Sequence, residues 1–134
     1  MPWTSNDTLF TIFIGINDIG NSYAAQNPTL HPTIFAELSS LVDSLYTSGA
    51  RNFLFLNVPP VDKSPLTQSA GSAAQVLEAA AIADWNTRLL SLSTSLTRNH
   101  TDATSFVFDT HKLFSRVIEH PCAYPQTCAY QNTT

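Results

Sequence analysis

Gly15-Ile16-Asn17-Asp18, continued by Gly20-Asn21, is the stretch whose residue types best suit catalytic work. A glycine lets the backbone approach a ligand closely. An asparagine beside it can aim its side-chain amide at developing negative charge, as in an oxyanion hole, where one donor is worth on the order of 3–4 kcal/mol of transition-state stabilisation. The same residues also fit an Asx-turn, with Asn17 and Asp18 capping backbone amides at a strand end. Two other polar loops stand out, Asn57-Val58-Pro59-Pro60 and Asp109-Thr110-His111. Asp109 could orient His111 as a base, as in a Ser-His-Asp triad, but it fits better as the cap of a helix beginning near Lys112. A nucleophile is harder to find. The chain has no Gly-x-Ser-x-Gly and no Gly-Asp-Ser, and Ser72, after Gly71, reads as a helix cap. His31 beside Pro32 and His100 inside Asn99-His100-Thr101 read as solvated loop residues, and His120 as the end of a helix.

Three apolar runs are available to position these loops. They are Leu9 to Ile16, Asn52 to Val58 and Ser105 to Asp109. Each is nearly continuous rather than alternating, as a parallel strand buried on both faces requires. Helical spacing appears between them. Thr33 to Ser48 carries Ile34, Leu38, Leu41, Val42 and Leu45, with His31-Pro32 as the break before it and Gly49 as its C-terminal cap. A longer stretch, roughly Ser72 to Leu96, would face the core with Val76, Leu77, Ala80, Ala83, Leu89 and Leu92. A last helix over Lys112 to Glu119 stops at Pro121. This alternation predicts a three-layer α/β architecture, a partial doubly wound parallel sheet of about three strands with flanking helices. Ligands of such sheets bind beyond the carboxyl ends of the strands, where all three polar loops fall. Trp85 and the phenylalanines at 10, 13, 53 and 55 read as core.

The composition narrows the function classes. With 43% hydrophobic and 12% charged residues in 134, the chain suits one compact domain with a buried core. A net charge of −4 offers no basic footprint for nucleic acid or an anionic membrane, and no run approaches the roughly 20 apolar residues of a membrane span. No signal peptide is encoded at the N-terminus. Cys122 and Cys128 read as a disulfide more readily than as part of a metal site, the alternative being two free or buried thiols. Sequons at Asn6, Asn99 and Asn132 point the same way, towards secretion.

The order of these motifs carries a resemblance. Leu9 to Tyr23, centred on Gly15-Ile16-Asn17-Asp18, resembles the third block of GDSL/SGNH hydrolases, a flavodoxin-like fold family. Gly20-Asn21-Ser22-Tyr23 is similar to fungal members, notably carbohydrate esterase family 16. Phe53 to Pro60 resembles the family's next strand and Pro-Pro turn, and Trp85-Asn86 its Trp-Asn pair. Phe106 to Thr110 with Phe114, then Cys128 to Asn132, resembles the stretch before its final block.

This resemblance implies an oxyanion-hole role for Asn17, substrate contacts for Gly15, Asp18 and Asn57, and no metal or organic cofactor. The implied substrate is an acylated carbohydrate or other small ester, and the implied location is extracellular. The family's Gly-Asp-Ser nucleophile block and its Asp-x-x-His pair do not occur within residues 1–134, so the chain reads as a single partial domain. It is expected either to be a portion of a secreted esterase or to need a second chain. An uncovered Leu9–Ile16 edge would favour self-association. The competing expectation is a non-catalytic α/β piece that acts in binding or association. A nucleotide-binding half-domain fits poorly, because neither Gly-x-Gly-x-x-G nor a P-loop is present.

Overall fold

A computed structural model describes residues 3–27 and 29–130. The third sequon, at Asn132, and the end of the Cys128–Asn132 motif lie outside the described residues. Three strands, β1 (Leu9–Ile12), β2 (Asn52–Leu56) and β3 (Thr104–Phe108), form a sheet in the order β1-β2-β3. Both pairings are parallel, with Phe10 opposite Phe53 and Leu54 opposite Phe106. Five α-helices accompany them: α1 (Ile16–Ser22), α2 (Leu30–Thr47), α3 (Pro65–Ser69), α4 (Ser72–Asn99) and α5 (Thr110–Glu119). The expected α/β class with a parallel three-stranded sheet and flanking helices is what the chain adopts.

The core lies between one face of this sheet and the long helices. Phe53 and Phe55 of β2 are fully buried against Phe35, Leu38 and Val42 of α2 and Ile82, Trp85 and Leu89 of α4. The sheet's other face differs from the expectation of strands buried on both sides. Leu9 is 52% exposed, Phe106 57% and Phe108 47%, and the register aligns Leu54 with Phe106 and Leu56 with Phe108 on that same face. The apolar runs do have residues for two covered faces, but among the described residues only one is covered.

Element ends moved for local reasons. β1 stops at Ile12, not Ile16, because Gly15 turns the chain with φ 113 and α1 begins at once. α2 starts at Leu30, so His31-Pro32 lies in its first turn rather than before it. The first turn's N–H groups have no partner within the helix, so a proline there removes no helical bond. At the other end, Gly49 (φ 105) terminates α2 as expected. Its N–H donates to the Tyr46 carbonyl at 2.9 Å and the Ala50 N–H to that of Leu45 at 3.0 Å, a Schellman closure. Leu41, assigned to the buried stripe, is exposed.

The core stripe of α4 also differs from the expected one. Glu78, Ile82, Trp85, Leu89, Ser93 and Leu96 are buried, whereas Val76 is exposed. Two of those six positions are polar, so a search for apolar periodicity slides to the wrong phase. Their burial is made tolerable by hydrogen bonds. Thr67 Oγ1 donates to Glu78 Oε2 at 2.6 Å, and Ser93 Oγ lies 2.6 Å from Ser105 Oγ of β3. Ser72 opens α4, but Gly71 is the N-cap and no side chain caps that helix. Asp109 does cap α5, accepting the Lys112 N–H at 2.9 Å.

Candidate active site

The three polar loops meet at the carboxyl end of the sheet, and they do different things there. The first follows β1. Gly15 is buried and backs directly onto the Trp85 indole; a Cβ at this position would sit 2.4 Å from Trp85 Cε2. Trp85 is itself fully buried and held edge-on by Phe35 and His31, with ring centroids at 4.8 and 5.3 Å. The turn is therefore fixed from below, and Asn17 and Asp18 emerge from it in the first turn of α1, both exposed. The Asx-turn alternative is absent: α1 has no side-chain cap, and neither the Asn17 nor the Asp18 side chain bonds to any described residue. Asn17 thus presents a carboxamide free to donate to a ligand.

The second loop is tied to the protein. Asn57, expected to touch substrate, is buried, and its Nδ2 donates to Asp109 Oδ1 at 2.9 Å. Its Oδ1 accepts from Thr110 Oγ1 at 2.8 Å and from the His111 N–H at 2.9 Å. Thr110 Oγ1 also donates to the Asn57 carbonyl. This geometry makes Asn57 the residue that locks the β2 loop to the β3 loop, rather than one poised to meet a ligand. Next to it, Val58 is clasped by Asn86, whose Oδ1 accepts the Val58 N–H at 2.8 Å while Nδ2 donates to the Val58 carbonyl at 3.0 Å. The adjacent pair Trp85-Asn86 on α4 therefore holds two separate loops, one through packing and one through hydrogen bonds.

The third loop forms no catalytic dyad. Asp109 spends Oδ1 on Asn57 and on the Lys112 N–H, and the His111 side chain bonds to no described residue. Partial burial would push the Asp109 carboxyl up, but the Asn57 and Lys112 hydrogen bonds outweigh it and hold the group below the usual carboxylate value.

A histidine–carboxylate pair does exist, at a place sequence reasoning passed over. His31 is not a solvated loop residue; its side chain is only 11% exposed, and Nδ1 donates to Asp84 Oδ2 at 2.7 Å. Arg88 Nε donates to the same oxygen at 2.8 Å. The Arg88 hydrogen bond, then that of His31, keeps the Asp84 carboxyl below its ordinary range against the opposing effect of burial. The signal was present as Asp84 and Arg88 at helical spacing, but the partner is 53 residues away in sequence. His100 likewise is engaged, stacked on Tyr46 at 3.7 Å between ring centroids.

Cys122 and Cys128 are bonded, with sulfurs 2.01 Å apart. Among the described residues, no cluster of three or more His, Cys, Asp or Glu could hold a metal ion, and no helix is long and apolar enough to cross a membrane.

Known proteins of similar sequence identify the family. The profile of the GDSL-like lipase/acylhydrolase family matches residues 4–125. The chain is 30% identical to an acetylesterase of Thermothelomyces thermophilus over 98% of its own length and 45% of that protein's. It is also 30% identical to a GDSL esterase/lipase of Arabidopsis thaliana over 87% of its length and 34% of the other's. It therefore spans less than half of either relative. With a match over most of its residues, a parallel α/β sheet and Gly15-Ile16-Asn17-Asp18 at the carboxyl end of β1, the chain belongs to the GDSL-like lipase/acylhydrolase family.

Proposed function

We propose that these residues form the oxyanion-stabilising part of an ester hydrolase that removes acyl groups, acetyl above all, from carbohydrate. The observation that carries this reading is the Asn17 carboxamide, exposed and bonded to no described residue, on a turn braced by Trp85. A serine oxygen attacks the ester carbonyl, and negative charge gathers on the carbonyl oxygen. Asn17 Nδ2 donates to that oxygen as the tetrahedral intermediate forms, which favours the transition state over the ground state. Gly15 lets the backbone lie close against Trp85 and so fixes the turn that carries Asn17, and Asp18 borders the substrate. Asn57 acts by positioning the neighbouring loop. Serine and acid–base groups come from outside residues 1–134, and serine-based acyl transfer requires no cofactor. The family match and the acetylesterase relative support the reaction class.

An extracellular location belongs to the same proposal. It is supported by the Cys122–Cys128 disulfide and by sequons at Asn6 and Asn99, both on exposed residues.

A second reading, association without catalysis, is favoured by one specific observation, the exposed apolar sheet face that carries Leu9 on β1 and Phe106 and Phe108 on β3. Hydrolysis of p-nitrophenyl acetate separates the two when it is measured on a chimera in which residues 4–125 replace the matching segment of the Thermothelomyces thermophilus acetylesterase, with and without Asn17→Ala. Turnover that falls about 100- to 1,000-fold in the variant supports the hydrolase. Equal turnover in both contradicts the role of Asn17. Absence of turnover in both, with a concentration-dependent sedimentation coefficient, supports association.

A further inference from the structure

A groove of about 220 Å³ opens between the end of α1, the start of α2 and α4. Its wall contains Tyr23, Gln26, Asn27, His31 and Asp84, and Ala80 is part of its α4 side. What distinguishes it is how much hydrogen-bonding capacity the protein leaves unused there. His31 Nδ1 is fixed by Asp84, so Nε2 remains unbonded among the described residues and its position is set. Asp84 uses Oδ2 for both His31 and Arg88, leaving Oδ1 without a partner among the described residues. Asn27 Oδ1 accepts from the Thr29 N–H at 3.0 Å and Thr29 Oγ1 at 2.9 Å, which orients an NH2 group that bonds to no described residue. The Tyr23 hydroxyl and the Gln26 amide are likewise uncommitted. Gln26 is also the single non-glycine residue of positive φ among those described, at 48, a conformation that concentrates at ligand sites.

The chemistry of this wall selects its ligand. It offers both donors and acceptors, and its one carboxylate is already paired with a guanidinium, so it carries no excess charge to attract an ion. The volume lies below the roughly 300 Å³ at which pockets for drug-sized ligands begin, which suits one small ring. Ser22, at the last turn of α1, also borders the groove, about 7.5 Å along the helix from Asn17.

We propose that this groove is a subsite for a single neutral sugar ring, anchored by His31 and Asp84. It would hold the unit adjoining the one whose ester is cleaved, a placement that rests on the carbohydrate-ester reading above. The subsite explains why polar groups are oriented by second partners yet left unsatisfied on the side of the groove.

The test is a titration of the isotopically labelled full chain with methyl β-D-glucopyranoside and methyl β-D-xylopyranoside, read by amide chemical shifts, with glycerol as control. Saturable shifts confined to residues 22–31 and 77–84, with millimolar affinity for at least one glycoside, are expected. His31→Asn should weaken binding at least tenfold. Ala80→Phe fills the groove from an exposed helix position without removing a polar group, so it should abolish binding while the spectrum away from the groove is unchanged. Shifts that do not saturate, that match those of glycerol, or that persist in Ala80→Phe would overturn the proposal. Ester hydrolysis is measured separately. Sugar binding by the chain, with no effect of Asn17→Ala on turnover of the acetylesterase chimera, would retain the groove and remove the hydrolase reading. An Asn17 effect without sugar binding would do the reverse.

Discussion

At the amino ends of the strands, just before β2 and β3, Arg51 Nε donates to Asp102 Oδ2 at 2.7 Å and the guanidinium lies 4.1 Å from the centre of the Tyr46 ring. Tyr46 in turn donates to Asp102 Oδ1 at 2.6 Å and stacks on His100, while Asn52 Nδ2 donates to the Ser5 and Thr8 carbonyls. Every one of these polar groups is answered by another. At the carboxyl ends the polar residues divide. Asn57, Asn86 and Asp109 are spent on holding loops, whereas the side chains of Asn17 and Asp18 have no partner among the described residues. The contrast teaches where binding chemistry is available, because a group already satisfied has little to gain from a ligand, whereas a free and immobilised donor can act without reorganising. Polar character alone would not tell the two ends apart; commitment does.

The brace under the free end should be the most expensive part to remove. Trp85→Ala empties the space between α2, α4 and the Gly15 turn, and is expected to cost about 3–5 kcal/mol of unfolding free energy by chemical denaturation. Gly15→Ala is the converse insult. It places a Cβ against the Trp85 ring at a φ that L-residues rarely adopt, and a loss of about 2–4 kcal/mol is expected from strain and overpacking together. If either variant were as stable as the parent, the turn would not be braced as described.

Smaller effects sharpen the division among the carboxyl-end residues. Asn57→Ala leaves the His111 N–H without its partner and removes the side-chain links to Thr110 and Asp109, and should cost about 1–3 kcal/mol. A comparable loss is not expected from Asn17→Ala, whose side chain holds nothing, so its stability should change by less than about 0.5 kcal/mol. Equal losses from the two would erase the distinction between loop-holding and free asparagines.

At the amino end the readout is pH. The hydrogen bond from Tyr46, then that from Arg51, lowers the Asp102 pKa in the folded state below its ordinary 3.8, despite some opposing desolvation. A carboxyl whose folded pKa is depressed contributes its stabilisation in full above the unfolded value and loses it as pH falls through the folded one. Asp102→Asn should therefore melt below the parent at about pH 6 and converge with it near pH 2. The difference should shrink in high salt, since the pair is exposed. A gap that persisted in acid would assign the effect to packing.

Much of the scaffold was legible in the residues, and the parts that were not share a cause. Apolar runs ending at Ile16, Val58 and Asp109 located the strands and their parallel arrangement, and Gly49 located the end of α2, because these follow from local sterics and burial. The phase of α4 was hidden because Glu78 and Ser93 occupy core positions, their cost met by Thr67 and Ser105 from other elements. His31 was misread for the same reason: its meaning depends on Asp84 and Trp85, which lie far off in sequence. Asn57 and Asn17 look alike in sequence, each an asparagine after an apolar run. Only the tertiary hydrogen bonds of the first separate them. The short β1 also escaped notice, since Phe13 and Ile14 continue an apolar pattern after the pairing has stopped.

The central claim is that the side-chain amide of Asn17 stabilises negative charge while contributing nothing to the fold. A chimera answers it directly, with residues 4–125 replacing the matching segment of the Thermothelomyces thermophilus acetylesterase, so that the rest of that protein supplies everything else. The measurement is kcat on p-nitrophenyl acetate for the chimera and for its Asn17→Ala form, alongside their melting temperatures. A fall of about 100- to 1,000-fold in kcat with an unchanged melting temperature is the predicted result. A folded chimera whose kcat is unaffected by the substitution would contradict the account.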